Sequence, residues 1–240
     1  MPRSTAPVRP SKTRLFEAVK ALDVDAVRAQ LDAKPSLLTV RDRQDRNLLH
    51  LTCGVPTWDL EVSPSVAPRL AGLLLDRGLE VDAVYGRDKC TALFESVARA
   101  RNPTLASFLI KRGAKVANAP GGGLFAAGWW DDVENLELLL DHGARIDVVV
   151  GITPFLASWL WRKFEAAKAL ACRGANVNYQ DKKGRTALLL GVEREYEPAL
   201  LRWLVDHGAS ADISDRDGVS ARSRASRKRD KRFIAAIERA

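Results

Sequence analysis

The side chains on which most enzymes rely are scarce in this chain of 240 residues, with three cysteines and three histidines. Cys53, Cys90 and Cys172 lie far apart, are odd in number and form no C-x-x-C pair. That excludes a disulfide framework and a cysteine zinc site, so reduced, partly buried thiols and a cytoplasmic setting are expected. His50, His142 and His207 have no Ser, Cys or metal-ligand partner at a recognisable spacing. The stretch "PGGG" (120–123) lacks the Lys-Ser/Thr that follows a phosphate-binding loop, and its glycines read as permitting a short turn. Asp131-Asp132 falls at a turn between two helices and reads as a solvated pair. No apolar run reaches the roughly 18 residues of a membrane span. "MPRSTAPVRPSKTR" has no apolar h-region, so residues 1–12 read as a disordered basic leader rather than an export signal. No catalytic residue, metal ligand or cofactor is expected, and the chain reads as a non-enzyme.

What is present is charge at the ends and periodicity between them. The net charge is +8, of which residues 1–14 contribute +4 and residues 221–240 contribute +6, leaving −2 for the stretch between. The basic balance therefore belongs to the termini. Nucleic-acid binding prefers a basic stripe on the folded surface, so this distribution speaks against it for the body of the chain. The segment "RSRASRKRDKR" keeps open an alternative in which the C-terminal segment binds nucleic acid or an anionic membrane and the rest is scaffold.

The phrase "LLLDRGLEVDAV" (73–84) returns as "FLIKRGAKVANA", "LLLDHGARIDVV", "ALACRGANVNYQ" and "WLVDHGASADIS", with glycines at 78, 113, 143, 174 and 208. An apolar helix end, two polar residues and a glycine predict a left-handed C-cap each time. Ahead of each phrase stands a helix start, at Thr13, Asn47, Thr91, Gly122, Thr153, Thr186 and Ser220, and these residues suit N-caps. Thr153-Pro154 adds proline at the first helical position. The spacings are 34, 44, 31, 31, 33 and 34 residues. Helices of about 8 to 10 residues do not persist alone in water, so each unit must lean on its neighbours. A helix pair every 33 or so residues is the signature of a solenoid.

"DKKGRTALLL" (181–190) and "DRDGVSARSRA" (215–225) resemble the ankyrin D-x-x-G-x-T-P-L-H-x-A pattern, and "HGARID" and "RGANVN" resemble its glycine-alanine turn. The resemblance covers roughly residues 11–238. It implies an all-α solenoid of antiparallel helix pairs with projecting β-hairpin fingers and a concave groove. It also implies that His50 braces adjacent loops, and that Asn178 holds a turn or is open to hydroxylation. The expected organisation is one repeat domain over 13–240, with units starting near 13, 47, 91, 122, 153 and 186 and residues 220–240 as a C-terminal cap. The second unit carries about ten surplus residues in 53–68, whose three prolines read as a loop. Trp58 there is either a local anchor or a contact. Unit one replaces the capping glycine with "DAKPSLL". In unit seven Arg222 stands at an apolar position, while "FIAAI" (233–237) can pack inward.

The register distributes the tryptophans. In each first helix a small pair is followed by two variable positions and a turn. Trp129 and Trp130 occupy those positions in unit four, Leu160 and Trp161 in unit five, Ala98 and Arg99 in unit three, and Glu193 and Arg194 in unit six. In ankyrin-like proteins these positions face the groove or its rim. Trp203 aligns with the apolar second helix and reads as core, and Trp159 reads as packing between units. The fingers from Gly113 to Gly122 and from Gly143 to Thr153 span only 9 and 10 residues against 12 or 13 elsewhere, which suggests a recess above a tryptophan floor. Trp129, Trp130 and Trp161 then either anchor a protein or peptide partner, with Arg99 and Arg194 beside them, or fill gaps in the stack. Finger-tip cations, among them Arg46, Arg87, Lys89, Lys182 and Arg185, point to an acidic partner surface. The free chain is expected to be monomeric. An inhibitor, an immunity protein or an effector would each fit such a module.

Overall fold

The computed structural model of the protein describes residues 9–116, 122–228 and 230–238. Helices pair along the chain: α1 (Lys12–Lys20) with α2 (Val24–Ala33), α3 (Leu48–Cys53) with α4 (Val66–Asp76), and α5 (Ala92–Ala98) with α6 (Pro103–Lys111). After α7 (Gly122–Trp130) and α8 (Val133–Asp141) come α9 (Pro154–Leu160) with α10 (Phe164–Cys172), α11 (Ala187–Glu193) with α12 (Pro198–Asp206), and α13 (Ala221–Lys228) with α14 (Lys231–Ile237). Among the described residues none of these is long and apolar enough to cross a membrane.

Two compact units emerge. One comprises Met1–Ala126 with Leu138–Ala144, the other Ala127–Glu137 with Arg145–Ala240. In the first, α1, α3 and α5 pack in sequence and α2, α4 and α6 form a second layer. In the second, α9, α11 and α13 pack in sequence, and α12 lies against α14. Leucines fill the space between layers: Leu48, Leu70, Leu74 and Leu105 in the first unit and Leu156, Leu170, Leu188 and Leu201 in the second are fully buried. Each such side chain contributes about 1.5–3 kcal/mol, which is what short helices lack in isolation.

The punctuation follows the repeat. Asn47, Thr91, Thr153 and Thr186 cap their helices by accepting the backbone N–H three residues on. The five capping glycines all have φ between 87° and 101°. The first helix departs from expectation: it begins at Lys12 under a cap from Ser11, not at Thr13. Residues 1–8 of the expected leader lie outside the described residues. The surplus of 53–68 holds a 3-10 turn, Thr57–Leu60, and is pinned where Asn102 Nδ2 donates to the Pro64 carbonyl at 3.2 Å. Arg101 lies 4.3 Å over the half-exposed Trp58 ring. At the far end Phe233, Ala236 and Ile237 are buried, and Arg222 turns outward to Asp212 at 2.6 Å, as a polar-faced terminal repeat requires.

The fingers are mostly loops. Among the described residues one true ladder occurs, β1 (Val84–Tyr85) against β2 (Cys90–Thr91), and elsewhere single bridges join Val150 to Ile152 and Ser214 to Ser220. Their bases are bracketed to the following repeat. Asp82 accepts from the Lys115 N–H at 3.0 Å, Asp147 from Asn176 at 3.0 Å, and Asn178 from Ser210 at 2.8 Å. Asn178 also donates to the Gly208 carbonyl at 2.9 Å, which makes it a turn-holding residue.

His50 is sealed in the first unit. Its Nδ1 accepts from the Asn47 N–H and its Nε2 donates to the Ala83 carbonyl at 2.8 Å, tying α3 to the next finger. Burial disfavours the imidazolium and, with Arg41 and Arg46 nearby, outweighs the Ala83 and Asp42 contributions, so its pKa falls below 6.5. The unfolded chain then takes the proton first. Stability is whole above about pH 6.5 and declines as the pH drops below it. Urea midpoints are expected to fall between pH 7.5 and pH 5.5, and the fall should shrink in His50→Gln; an equal fall in the variant would place the sensitivity elsewhere.

Candidate partner-binding surface

Every residue of α7 is Gly, Ala, Leu, Phe or Trp. A helix apolar all round must be covered on every side or offer a face to something else. Leu124 and Ala127 are buried, yet Trp129 is 49 % exposed and Trp130 45 %. The helix runs close to its neighbour because position 128 has no side chain: a Cβ there would lie 2.4 Å from Ser158 Oγ on α9. That approach brings the Trp129 ring edge-on to Trp161, with centroids 5.0 Å apart and planes at 78°. Edge-to-face pairs of this kind contribute about 0.5–1.5 kcal/mol beyond the area they bury.

The turn after the pair is fixed. Asp131 takes the left-handed conformation (φ 57°), and its carboxylate accepts the Ala166 N–H at 2.7 Å. That satisfies the first turn of α10, whose own N-cap residue, Lys163, makes no side-chain cap. Asp132 accepts from Asn135 N–H at 3.1 Å and from Asn135 Nδ2 at 2.7 Å. The acidic pair is therefore not merely solvated; both carboxylates hold helix starts, because the turn leaves N–H groups that need acceptors. Arg194 donates to the Leu160 carbonyl at 3.1 Å, which places its cation beside the Trp161 turn. Arg162, absent from the sequence-derived site, sits with its guanidinium 4.9 Å over Tyr196. Its only signal in the sequence is its place in the turn directly after Trp161.

Of the other tryptophans, Trp159 packs between repeats as expected and Trp203 departs from expectation. Trp159 is sealed at 0 % exposure, edge-on to Phe164 and Tyr196, and bridges α9 to the repeat that follows. Trp203 is not core: it is half-buried and stacks on His207 at 3.7 Å. It lies on the outward shoulder of α12, where the alignment gave the right helix but not the right side.

The finger cations separate into two kinds. Asp42 accepts from the N–H groups of Gln44 and Arg46 and from Arg46 Nε at 2.8 Å, and Asp181 does the same with Lys183 and Arg185. Arg46 and Arg185 thus build their own fingers. Partial burial pushes the Asp42 and Asp181 carboxyls up, but these hydrogen bonds prevail and hold both below the usual carboxylate range. Arg87 and Lys89, on the β1–β2 turn, and Lys182 extend into solvent. Arg99 is exposed but pairs at 3.0 Å with the fully buried Glu95, which also receives the Tyr85 hydroxyl. The shortened finger near 113–122 lies partly outside the described residues; the one near 143–153 turns at Gly151 and exposes Val149 and Val150.

Most cations of the C-terminal repeat that the structure describes are engaged: Arg224 with Glu193 at 2.8 Å, Lys228 with Glu195 at 2.5 Å and Arg232 with Asp230 at 2.8 Å. Among the described residues no group of three or more His, Cys, Asp or Glu is arranged to hold a metal ion.

No protein-family model matches the chain, and no curated protein matches it. Solved structures do. The ankyrin repeat domain of Bcl-3, described as a unique member of the IkappaB family, is 25 % identical, with a TM-score of 0.75 over 95 % of this chain and 99 % of that one. The human ASB11 ankyrin repeat domain is 21 % identical, with a TM-score of 0.73 over 94 % and 98 %. An ankyrin repeat domain from Acinetobacter baumannii is 24 % identical, with a TM-score of 0.63 over 79 % and 95 %. With its repeating sequence, its capped helix pairs and these neighbours, the chain is an ankyrin repeat protein.

Proposed function

We propose that the chain is a non-enzymatic module that captures a protein partner on the surface around Trp129 and Trp161. Ankyrin repeat folds typically serve as interaction scaffolds, which supports the general reading. The observation that carries the finer one is the half-exposed Trp129 ring held edge-on to Trp161. A cluster of exposed apolar rings rimmed by polar residues is the kind of patch that marks an interaction site, whereas single exposed rings carry no such meaning. Trp130 adjoins the pair, and Arg194 and Arg162 supply a cationic rim that suits a partner with an apolar knob flanked by acids. Lys182, on a finger of the same unit, adds to that charge preference, and Arg87 and Lys89 show it on a finger of the other unit. The module acts as a monomer in the cytoplasm, in the manner of an inhibitor, immunity protein or effector. The pairing of the C-terminal cations with carboxylates favours this over a polyanion-binding tail, since fewer charges are left to neutralise phosphates.

The test is affinity purification from cells that express the chain naturally, with wild-type and Trp129→Ala/Trp161→Ala baits, followed by identification of what is captured. A partner retained by the wild type and lost by the double variant is the expected outcome. Losing a good aromatic anchor costs about 2 kcal/mol or more, which is over tenfold in affinity. Equal recovery by both baits, or recovery only of nucleic acid, would refute the proposal.

A further inference from the structure

We infer that the first compact unit carries a second, independent recognition site: a groove that takes an extended acidic peptide with one apolar residue between two acids. The groove has a volume of about 600 Å³ and lies between α1 and the first finger. Lys12, Phe16 and Lys20 line it from the helix, and Arg43 and the Asp42–Arg46 pair line it from the loop. The three helical residues are spaced by four, so they share one face of α1. They form a stripe of cation, aromatic and cation, with Lys12 Nζ 5.4 Å from the Phe16 ring centroid.

Length matching names the ligand. Four residues of helix advance about 6 Å. Two residues of an extended chain advance about 6.6 Å, and alternate side chains point the same way. A peptide of the pattern acid-x-apolar-x-acid, laid along α1, therefore sets its two carboxylates against Lys12 and Lys20 and its apolar side chain on Phe16. Charge favours it further. Arg46 is already held by Asp42, but Lys20 and Arg43 form no ion pair among the described residues. Two acids stand in the lining, Asp42, which is committed to Arg46, and Glu17. Glu17 sits one position from Phe16 and discourages acids at the centre of the peptide, which is where the pattern is apolar. A nucleic acid fits less well, because its charge repeats without interruption and the Phe16 position would face a phosphate.

The site is tested on the full chain with a fluorescein-labelled peptide containing Glu-Gly-Leu-Gly-Glu and a control of the same composition with the two acids adjacent, read by anisotropy. The spaced peptide should bind at least tenfold tighter than the control. Its binding should weaken about tenfold or more in Lys12→Glu/Lys20→Glu, fall as salt rises from about 50 to 500 mM, and stay unchanged in Trp129→Ala. Arg43→Glu, on an exposed loop, gives a second variant should the helix variant lose its fold by circular dichroism, and it should weaken binding several-fold. Equal affinity for the two peptides, no binding of either, unaltered affinity in the charge-reversed variants, or displacement of the peptide by an oligonucleotide at lower concentration than by unlabelled peptide would each overturn the inference. Since Trp129→Ala leaves this readout untouched, its failure and the failure of the tryptophan surface are separable.

Discussion

Replacing Trp159 with alanine is expected to cost about 3–5 kcal/mol, the range for deleting a large aromatic side chain from a packed core. The indole is fully buried and wedged between α9 and α11; Gly191 exists there because a Cβ would stand 3.2 Å from the ring and 2.5 Å from Leu201. Tyr196 donates its hydroxyl to the Trp159 carbonyl at 3.3 Å, so ring and backbone are clamped by the same neighbour. The indole Nε1–H has no hydrogen-bond partner among the described residues. Trp159→Phe removes that unpaired donor and keeps much of the ring, and so should lose far less, about 1–2 kcal/mol. Urea denaturation followed by circular dichroism measures both. Since whole domains are stable by only about 5–15 kcal/mol, the alanine variant should be visibly unfolded in mild urea. A loss below about 1 kcal/mol would show that the ring is not a wedge.

The second large effect concerns Gly128. A methyl group there meets Ser158 Oγ at 2.4 Å, so either that hydroxyl rotates away or the two helices move apart. Gly128→Ala should therefore destabilise by about 1–3 kcal/mol, as overpacking does. Ser158 Oγ is buried and has no hydrogen-bond partner among the described residues, so Ser158→Ala alone should change stability little. Combining the two should restore most of the loss, because the added Cβ then faces only Ser158 Cβ at 3.7 Å, an ordinary contact. An interaction energy of about 1 kcal/mol or more in this cycle confirms the close approach that carries Trp129 to Trp161, whereas additive effects would deny it.

Most of the fold could be read from the residues because repeats announce themselves several times over. A capping threonine or a glycine at a helix end is locally ambiguous, but the same pair every 33 or so residues is not. The first helix shows the limit: Ser11 and Thr13 are both competent caps, and no repeat precedes them to decide. The exposed tryptophans were legible for the same reason, since register distinguishes a variable position from a core one. Register is silent on partners. It placed Arg46 and Arg185 on finger tips but not in the grip of Asp42 and Asp181, although in each the acid four residues earlier was in view. Asp131 was read as solvated because its acceptor role depends on an N–H 35 residues away. Trp203 was misplaced because a second helix has a shoulder as well as a core face, and alignment to leucines does not separate them.

The most direct test of the account is to measure stability and partner affinity together for Trp129→Ala. A ring placed for contact should lower affinity by at least about tenfold while costing no more than about 1.5 kcal/mol of stability in urea denaturation, the worth of its edge-on contact with Trp161. Unaltered affinity accompanied by a loss of about 2 kcal/mol or more in stability would contradict the account and make the Trp129–Trp161 pair a packing device.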